Sequence, residues 1–209
     1  MTEEVLAVLS VIGTLAFAVS GAMIAIGHRM DVFGVAVLGM MTAVGGGIVR
    51  DLMLGYLPVR ALREPVYPIL ALAAALLVFL AGRRGWHSRR EKAWELLLLV
   101  SDSAGLGAFT VMGVRQAHAV MGQPNLFTCA FMGVVTGVFG GVLRDVVAWK
   151  TPDVFVKHFD ACASLAGALA CALLWGAAGE VASMVAGACL TFALRIAAAK
   201  YRWNLPKAG

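Results

Sequence analysis

Seven long apolar blocks pattern this chain, separated by short stretches that carry most of its charges and several of its prolines. They cover residues 5–27, 32–56, 66–82, 93–114, 126–149, 159–177 and 181–198. Crossing the hydrocarbon layer takes roughly 20 apolar residues in a helix. Inside that layer the backbone has no water partner, so only helices or closed barrels can span it. The blocks are too long, and too rich in Ala, Leu and Gly, for barrel strands. Each is therefore predicted to be a transmembrane helix, and none of the connections is long enough to separate domains.

Composition strengthens this reading. Of 209 residues, 61% are hydrophobic and 14% charged, with a mean hydropathy of +0.86. A soluble domain is nearer a quarter charged, and this chain could not cover its surface in water. The net charge of +5 does not indicate nucleic acid, because no soluble basic domain is left over to bind it. Cys129, Cys162, Cys171 and Cys189 lie in apolar segments without CxxC spacing and read as packing residues. The first block follows the acidic flank Glu3-Glu4 and runs to about Gly27, unlike the short core of a signal peptide, so it is expected to be retained.

Lys and Arg are distributed unevenly over the connections. The N-terminal side holds Arg60, Arg63 and Arg115. The other side holds Arg29, the cluster Arg83, Arg84, Arg89, Arg90 and Lys92, then Lys150 and Lys157, and Arg195, Lys200, Arg202 and Lys207. Basic residues accumulate in cytoplasmic loops. The expected arrangement is a multi-pass protein of the cell inner (plasma) membrane, in contact with lipid, with its N-terminus outside and its C-terminus cytoplasmic. Trp86, Trp94, Trp149, Trp175 and Trp203 fall near block ends, as interface anchors do.

The chain also repeats. Displaced by 94 residues, Ala36, Gly39, Thr42, Val44, Gly46, Gly47, Arg50 and Asp51 fall on Ala130, Gly133, Thr136, Val138, Gly140, Gly141, Arg144 and Asp145. An offset of 86 places Gly21, Gly27 and Arg29 on Gly107, Gly113 and Arg115, which implies a longer loop after the fourth block. Residues 1–82 and 93–177 thus read as two three-helix repeats, with 181–198 as an extra helix. Three helices per copy require the second copy to insert upside down. Such inverted repeats place a binding site or pathway near the bilayer midplane.

Candidate chemistry lies in blocks two and five. Gly45-Gly46-Gly47 and Gly140-Gly141 are expected to interrupt their helices, since each glycine weakens a helix by about 1 kcal/mol relative to Ala. Arg50-Asp51 and Arg144-Asp145 follow within one turn, with apolar residues on both sides. A charge at the bilayer centre costs at least about 2.5–3.5 kcal/mol, so a duplicated pair argues for inward-facing groups lining an aqueous path. Asp102 is another deep acid and needs a cation or a strong donor, with Arg144 or Arg50 the natural partner. Thr42 and Thr136 could offer hydroxyl ligands or bond back to their own helices. Gly133/Gly137, Ala163/Gly167 and Ser183/Gly187 read as close-packing faces. His28, His87, His118 and His158 lie in or beside loops without HExxH spacing, and neither GxSxG nor a phosphate loop is present. No enzyme, metal or cofactor is expected.

Gly45-Gly46-Gly47-Ile48-Val49-Arg50-Asp51 and its echo Gly140-Gly141-Val142-Leu143-Arg144-Asp145, in a 3 + 3 + 1 layout, resemble the prokaryotic trimeric intracellular cation (TRIC) channel family. The resemblance implies a homotrimer with one pore per subunit, running between kinked second and fifth helices and conducting monovalent cations, chiefly potassium. It puts the kinks at Gly45–Gly47 and Gly140–Gly141 and the pore charges at Arg50, Asp51, Arg144 and Asp145. Phe139 stands where the first motif has Gly45, so the two copies are not identical. Some bacterial relatives are described as glycine transporters, and Arg-Asp pairs also suit a zwitterion.

Overall fold

The structure, a computed structural model, describes residues 2–83, 91–156 and 159–203. Trp86, His87, His158 and the basic residues Arg84, Arg89, Arg90, Lys157 and Lys207 lie outside the described residues. The chain is all-helical: α1 Thr2–Gly27, α2 Val32–Met53, α3 Arg60–Arg63, α4 Val66–Arg83, α5 Glu91–Met121, α6 Leu126–Val147, α7 Asp153–Val156, α8 Asp160–Ala178 and α9 Glu180–Tyr201. Among the described residues six helices are long and apolar enough to cross a membrane. α4 is a shorter apolar helix of 18 residues, about 27 Å at 1.5 Å per residue. Phe33 and Phe127, both about three-quarters exposed, and Leu77, Leu173 and Leu190 turn outward from the bundle, as lipid-facing residues do.

The bounds of α2 and α6 follow from matched local signals. Asp31 and Asn125 cap them by accepting from Gly34 N and Thr128 N, each at 2.8 Å, which satisfies an amide that the first turn leaves free. At the other end Gly55 and Trp149 take positive φ, and Tyr56 N and Lys150 N donate back to the Asp51 and Asp145 carbonyls. Both helices run through their glycines without a break, so the expected interruption is absent.

The glycines serve contact instead. A Cβ on Gly46 would collide with the Thr136 carbonyl oxygen, and one on Gly140 with the Thr42 carbonyl oxygen. α2 and α6 therefore cross backbone to backbone and antiparallel, which only residues without a side chain permit. Thr42 and Thr136 donate to Leu38 O and Met132 O, each at 2.6 Å, and so bond back to their own helices. Gly21 lies against Leu38 O and Thr42 Oγ1, and Gly113 against Met132 O and Thr136 Oγ1. Gly13 packs on Phe109 and Gly105 on Phe17, and these two rings meet at 5.3 Å between centroids.

These contacts correct the register expected between α1 and α5. Gly13, Phe17 and Gly21 correspond to Gly105, Phe109 and Gly113, an offset of 92 rather than 86. The predicted long loop after residue 114 is helix: Arg115, Gln116 and His118 belong to the last turns of α5. Arg115, expected as a loop charge, stands inside the helix because it is paired, bridging to Glu180 at 3.1 Å and Glu3 at 3.9 Å. His118 stacks on Trp175 at 4.2 Å. Gly133, Gly167 and Gly187 do pack closely against neighbouring helices, as expected. All four cysteines are free, but Cys189 is exposed rather than packed.

Candidate functional site

Arg50-Asp51 and Arg144-Asp145 stand in the last turns of α2 and α6, not amid long apolar flanks, because those helices end at Met53 and Val147. They are nevertheless buried: Arg50 and Arg144 are each 4% exposed, Asp51 0% and Asp145 1%. A snorkelling helix-end charge would reach water, and these do not. In each pair the arginine Nε donates to the first oxygen of its own aspartate, at 2.8 Å for Arg50 and 2.9 Å for Arg144. The second aspartate oxygen accepts from the backbone where a short helix begins, Asp51 from Arg60 N at 2.7 Å and Asp145 from Asp153 N at 2.9 Å. Each carboxylate thus neutralises a guanidinium and pins the segment after its helix, with charge-assisted bonds that a neutral cap would not match.

Each pair closes a recess. Recess one, about 450 Å³ including its mouth, is lined by Ser10, Thr14, Gly47, Arg50, Asp51 and Tyr67, with Phe109 against it. Recess two, about 310 Å³ on the same basis, is lined by Asp102, Gly141, Arg144, Asp145 and Asp160, with Phe17 against it. Arg50 ends a helix running toward the side where α1 begins, and Arg144 ends one running the opposite way, so the recesses lie at opposite ends of the bundle. The Phe17–Phe109 pair and the α2–α6 crossing stand between them. Among the predicted residues the structure gathers Gly47, Arg50 and Asp51 around one recess and Asp102, Gly141, Arg144 and Asp145 around the other. Gly45, Gly46, Gly140, Thr42 and Thr136 line neither. Gly45 faces the end of Leu143, and the other four form or support the crossing.

The recesses differ in charge. Asp102 finds the partner expected of it: Arg144 Nη1 donates to Asp102 Oδ1 and to Ser20 Oγ, and Ser20 donates to Asp102 at 3.0 Å. Two members of the cluster are not among the candidate residues of the sequence. Arg195, expected among the cytoplasmic charges, lies within α9, is 4% exposed, and donates from Nη2 to Asp102 Oδ2 at 3.2 Å. Its Nε forms an ion pair at 3.0 Å with Asp160, in the first turn of α8. Their signal was available: an arginine six residues inside an apolar helix needs a buried acid, and Asp160 is the one acid in the eighth element.

The fold and site define a polytopic helical membrane protein with two opposed, charge-lined recesses. A family model described as Glycine transporter matches residues 7–83 and 99–176. The UPF0126 inner membrane protein YadS of Escherichia coli K12 is 37% identical over 201 residues, covering 95% of this chain and 93% of its own. The UPF0126 membrane protein YvgT of Bacillus subtilis is 36% identical, with coverage of 95% and 94%. Among solved structures, a TRIC cation channel shares 34% identity at a TM-score of 0.85 over 97% of this chain and 96% of its own. The TRIC trimeric intracellular cation channel orthologue from Rhodobacter sphaeroides shares 32% at 0.85, with coverage of 95% and 99%. This chain belongs to the TRIC-like family of UPF0126 membrane proteins.

Proposed function

We propose that this protein is a cation channel of the inner membrane, permeable to potassium, with one pore in each subunit of a homotrimer. The observation that carries the reading is the antiparallel glycine crossing of α2 and α6, with a recess at each end that closes on a buried Arg-Asp pair. That arrangement is what residues 1–82 and 93–177 would form as inverted repeats, with the seventh span added outside them. Solved relatives of the same shape are described as cation channels. The ion enters one recess, passes between α2 and α6 where Gly45–Gly47 and Gly140–Gly141 allow a bend, and leaves through the other. Carboxylates Asp51, Asp102 and Asp145 favour a cation, while Arg50 and Arg144 keep the resting charge near neutral. In the conformation described, the aromatic pair and the crossing hold the path shut. The N-terminus faces outward and the C-terminus the cytoplasm, by the basic bias of the connections.

Unitary currents from purified protein in a planar bilayer under a potassium chloride gradient test the proposal. Discrete steps reversing near the potassium potential support it, and a silent bilayer containing assembled trimer counts against it. One observation favours a second reading. Arg144, Asp102, Ser20 and Arg195 together present groups for both ends of a zwitterion, and the matching family model is described as Glycine transporter. Saturable counterflow of labelled glycine in vesicles would support a carrier.

A further inference from the structure

The two recesses are built alike, and one difference between them points to a ligand. The register that pairs Gly13 with Gly105 and Phe17 with Phe109 also pairs Ser10 with Asp102 and Met112 with Ser20. Ser10 and Met112 line recess one, and Asp102 lines recess two. In recess two, Arg144 spends Nε on Asp145 and Nη1 on Asp102 and Ser20, so the protein's own carboxylate fills the outer edge of the guanidinium. In recess one, Arg50 spends both Nε and Nη2 on the single oxygen Asp51 Oδ1. No acceptor among the described residues reaches its Nη1, which is not among the fully buried atoms and faces the recess, although the Arg50 residue as a whole is 4% exposed. The Ser10 and Thr14 hydroxyls, 5% and 2% exposed, line the same recess and likewise have no hydrogen-bond partner among the described residues.

A guanidinium edge that faces a recess without a protein acceptor is available to an anion, and its planar donor fork matches the two oxygens of a carboxylate. We propose that recess one is a binding site for a small monocarboxylate. One ligand oxygen takes the place relative to Arg50 that Asp102 Oδ1 takes relative to Arg144, and the Ser10 and Thr14 hydroxyls donate to the ligand. Arg60, at the mouth and held by Glu64 at 3.0 Å, adds positive potential on the entry path. The cavity itself is about 60 Å³, which limits the ligand to the smallest monocarboxylates, of acetate size. The inference rests on the asymmetry of the two recesses and not on conduction.

The test is the melting temperature of the full-length protein in detergent micelles, titrated with sodium acetate at constant ionic strength against sodium chloride. The expected result is a saturable rise for the natural chain, absent in Arg50→Gln. Ser10→Asp is expected to lose the response as well, because it supplies in recess one the carboxylate that Asp102 supplies in recess two. Should Ser10→Asp fail to assemble, Thr14→Val replaces it, with several-fold weaker acetate affinity expected. No response in the natural chain, or a response that persists in both Arg50→Gln and Ser10→Asp, overturns the proposal. Because binding is read without current, a silent bilayer removes the channel reading and leaves this one standing.

Discussion

Adjacent glycines in α2 are expected to respond differently to the same substitution. A methyl group at Gly46 would lie on the Thr136 carbonyl oxygen, a backbone atom that cannot turn aside, so α2 and α6 must separate. At Gly47 the nearest atom to the added carbon is Arg50 Nη2 at 3.8 Å, an ordinary contact. Both positions are helical, so both substitutions gain about 1 kcal/mol of helix propensity. Overpacking costs about 1–3 kcal/mol and applies to Gly46 alone. Gly47→Ala should therefore be more stable than the natural protein. Gly46→Ala should fall below Gly47→Ala by the whole overpacking cost, about 1–3 kcal/mol. Gly140→Ala and Gly141→Ala should repeat the contrast, since Gly140 meets the Thr42 carbonyl and Gly141 only Arg144 Nη2 at 3.8 Å. Equilibrium unfolding of the four variants in mixed micelles measures these differences. If Gly46→Ala proves as stable as Gly47→Ala, the glycines do not serve the crossing and the account of α2 against α6 fails.

Further outcomes follow from the same geometry. Asp102→Ala removes the acceptor shared by Arg144, Arg195 and Ser20, and breaking a buried ion pair from one side should cost about 3–5 kcal/mol in micelle unfolding; a loss under about 1 kcal/mol would show the pair to be solvated. Phe109→Ala removes half of the aromatic partition, so open probability in single-channel records should rise well above that of the natural protein, and unchanged gating in assembled protein would place the barrier elsewhere. Arg144→Ala should alter unitary conductance or gating without dispersing the assembly, and an identical record would take Arg144 out of the path.

Much of the helical layout was legible because bilayer spanning imposes long apolar runs. The start of α2 at Val32, of α4 at Val66 and of α6 at Leu126 follow directly from the block edges. Charge near those edges was harder to read. Arg115 and His118 ended a block by composition yet continue α5, since their partners Glu180 and Trp175 come from distant helices. Arg195 stands near the end of an apolar block, and although its place inside that block calls for an acid, Asp102 and Asp160 come from other helices. The short helices α3 and α7 escaped because what positions them is a carboxylate elsewhere, Asp51 or Asp145, accepting from their first residues. Consecutive glycines are ambiguous in sequence: the same residues permit a broken helix or a close crossing. Only the carbonyls facing Gly46 and Gly140 decide between them.

The central claim is a single path per subunit with recesses that open to opposite sides, and cysteine accessibility tests it most directly. Gly47→Cys and Gly141→Cys, in a background without the four native cysteines, would be exposed during bilayer recording to a membrane-impermeant thiol reagent. The account predicts that current through Gly47→Cys changes only with reagent on the N-terminal side, and current through Gly141→Cys only with reagent on the opposite side. Modification of both from one side, or of neither while current flows, would contradict it.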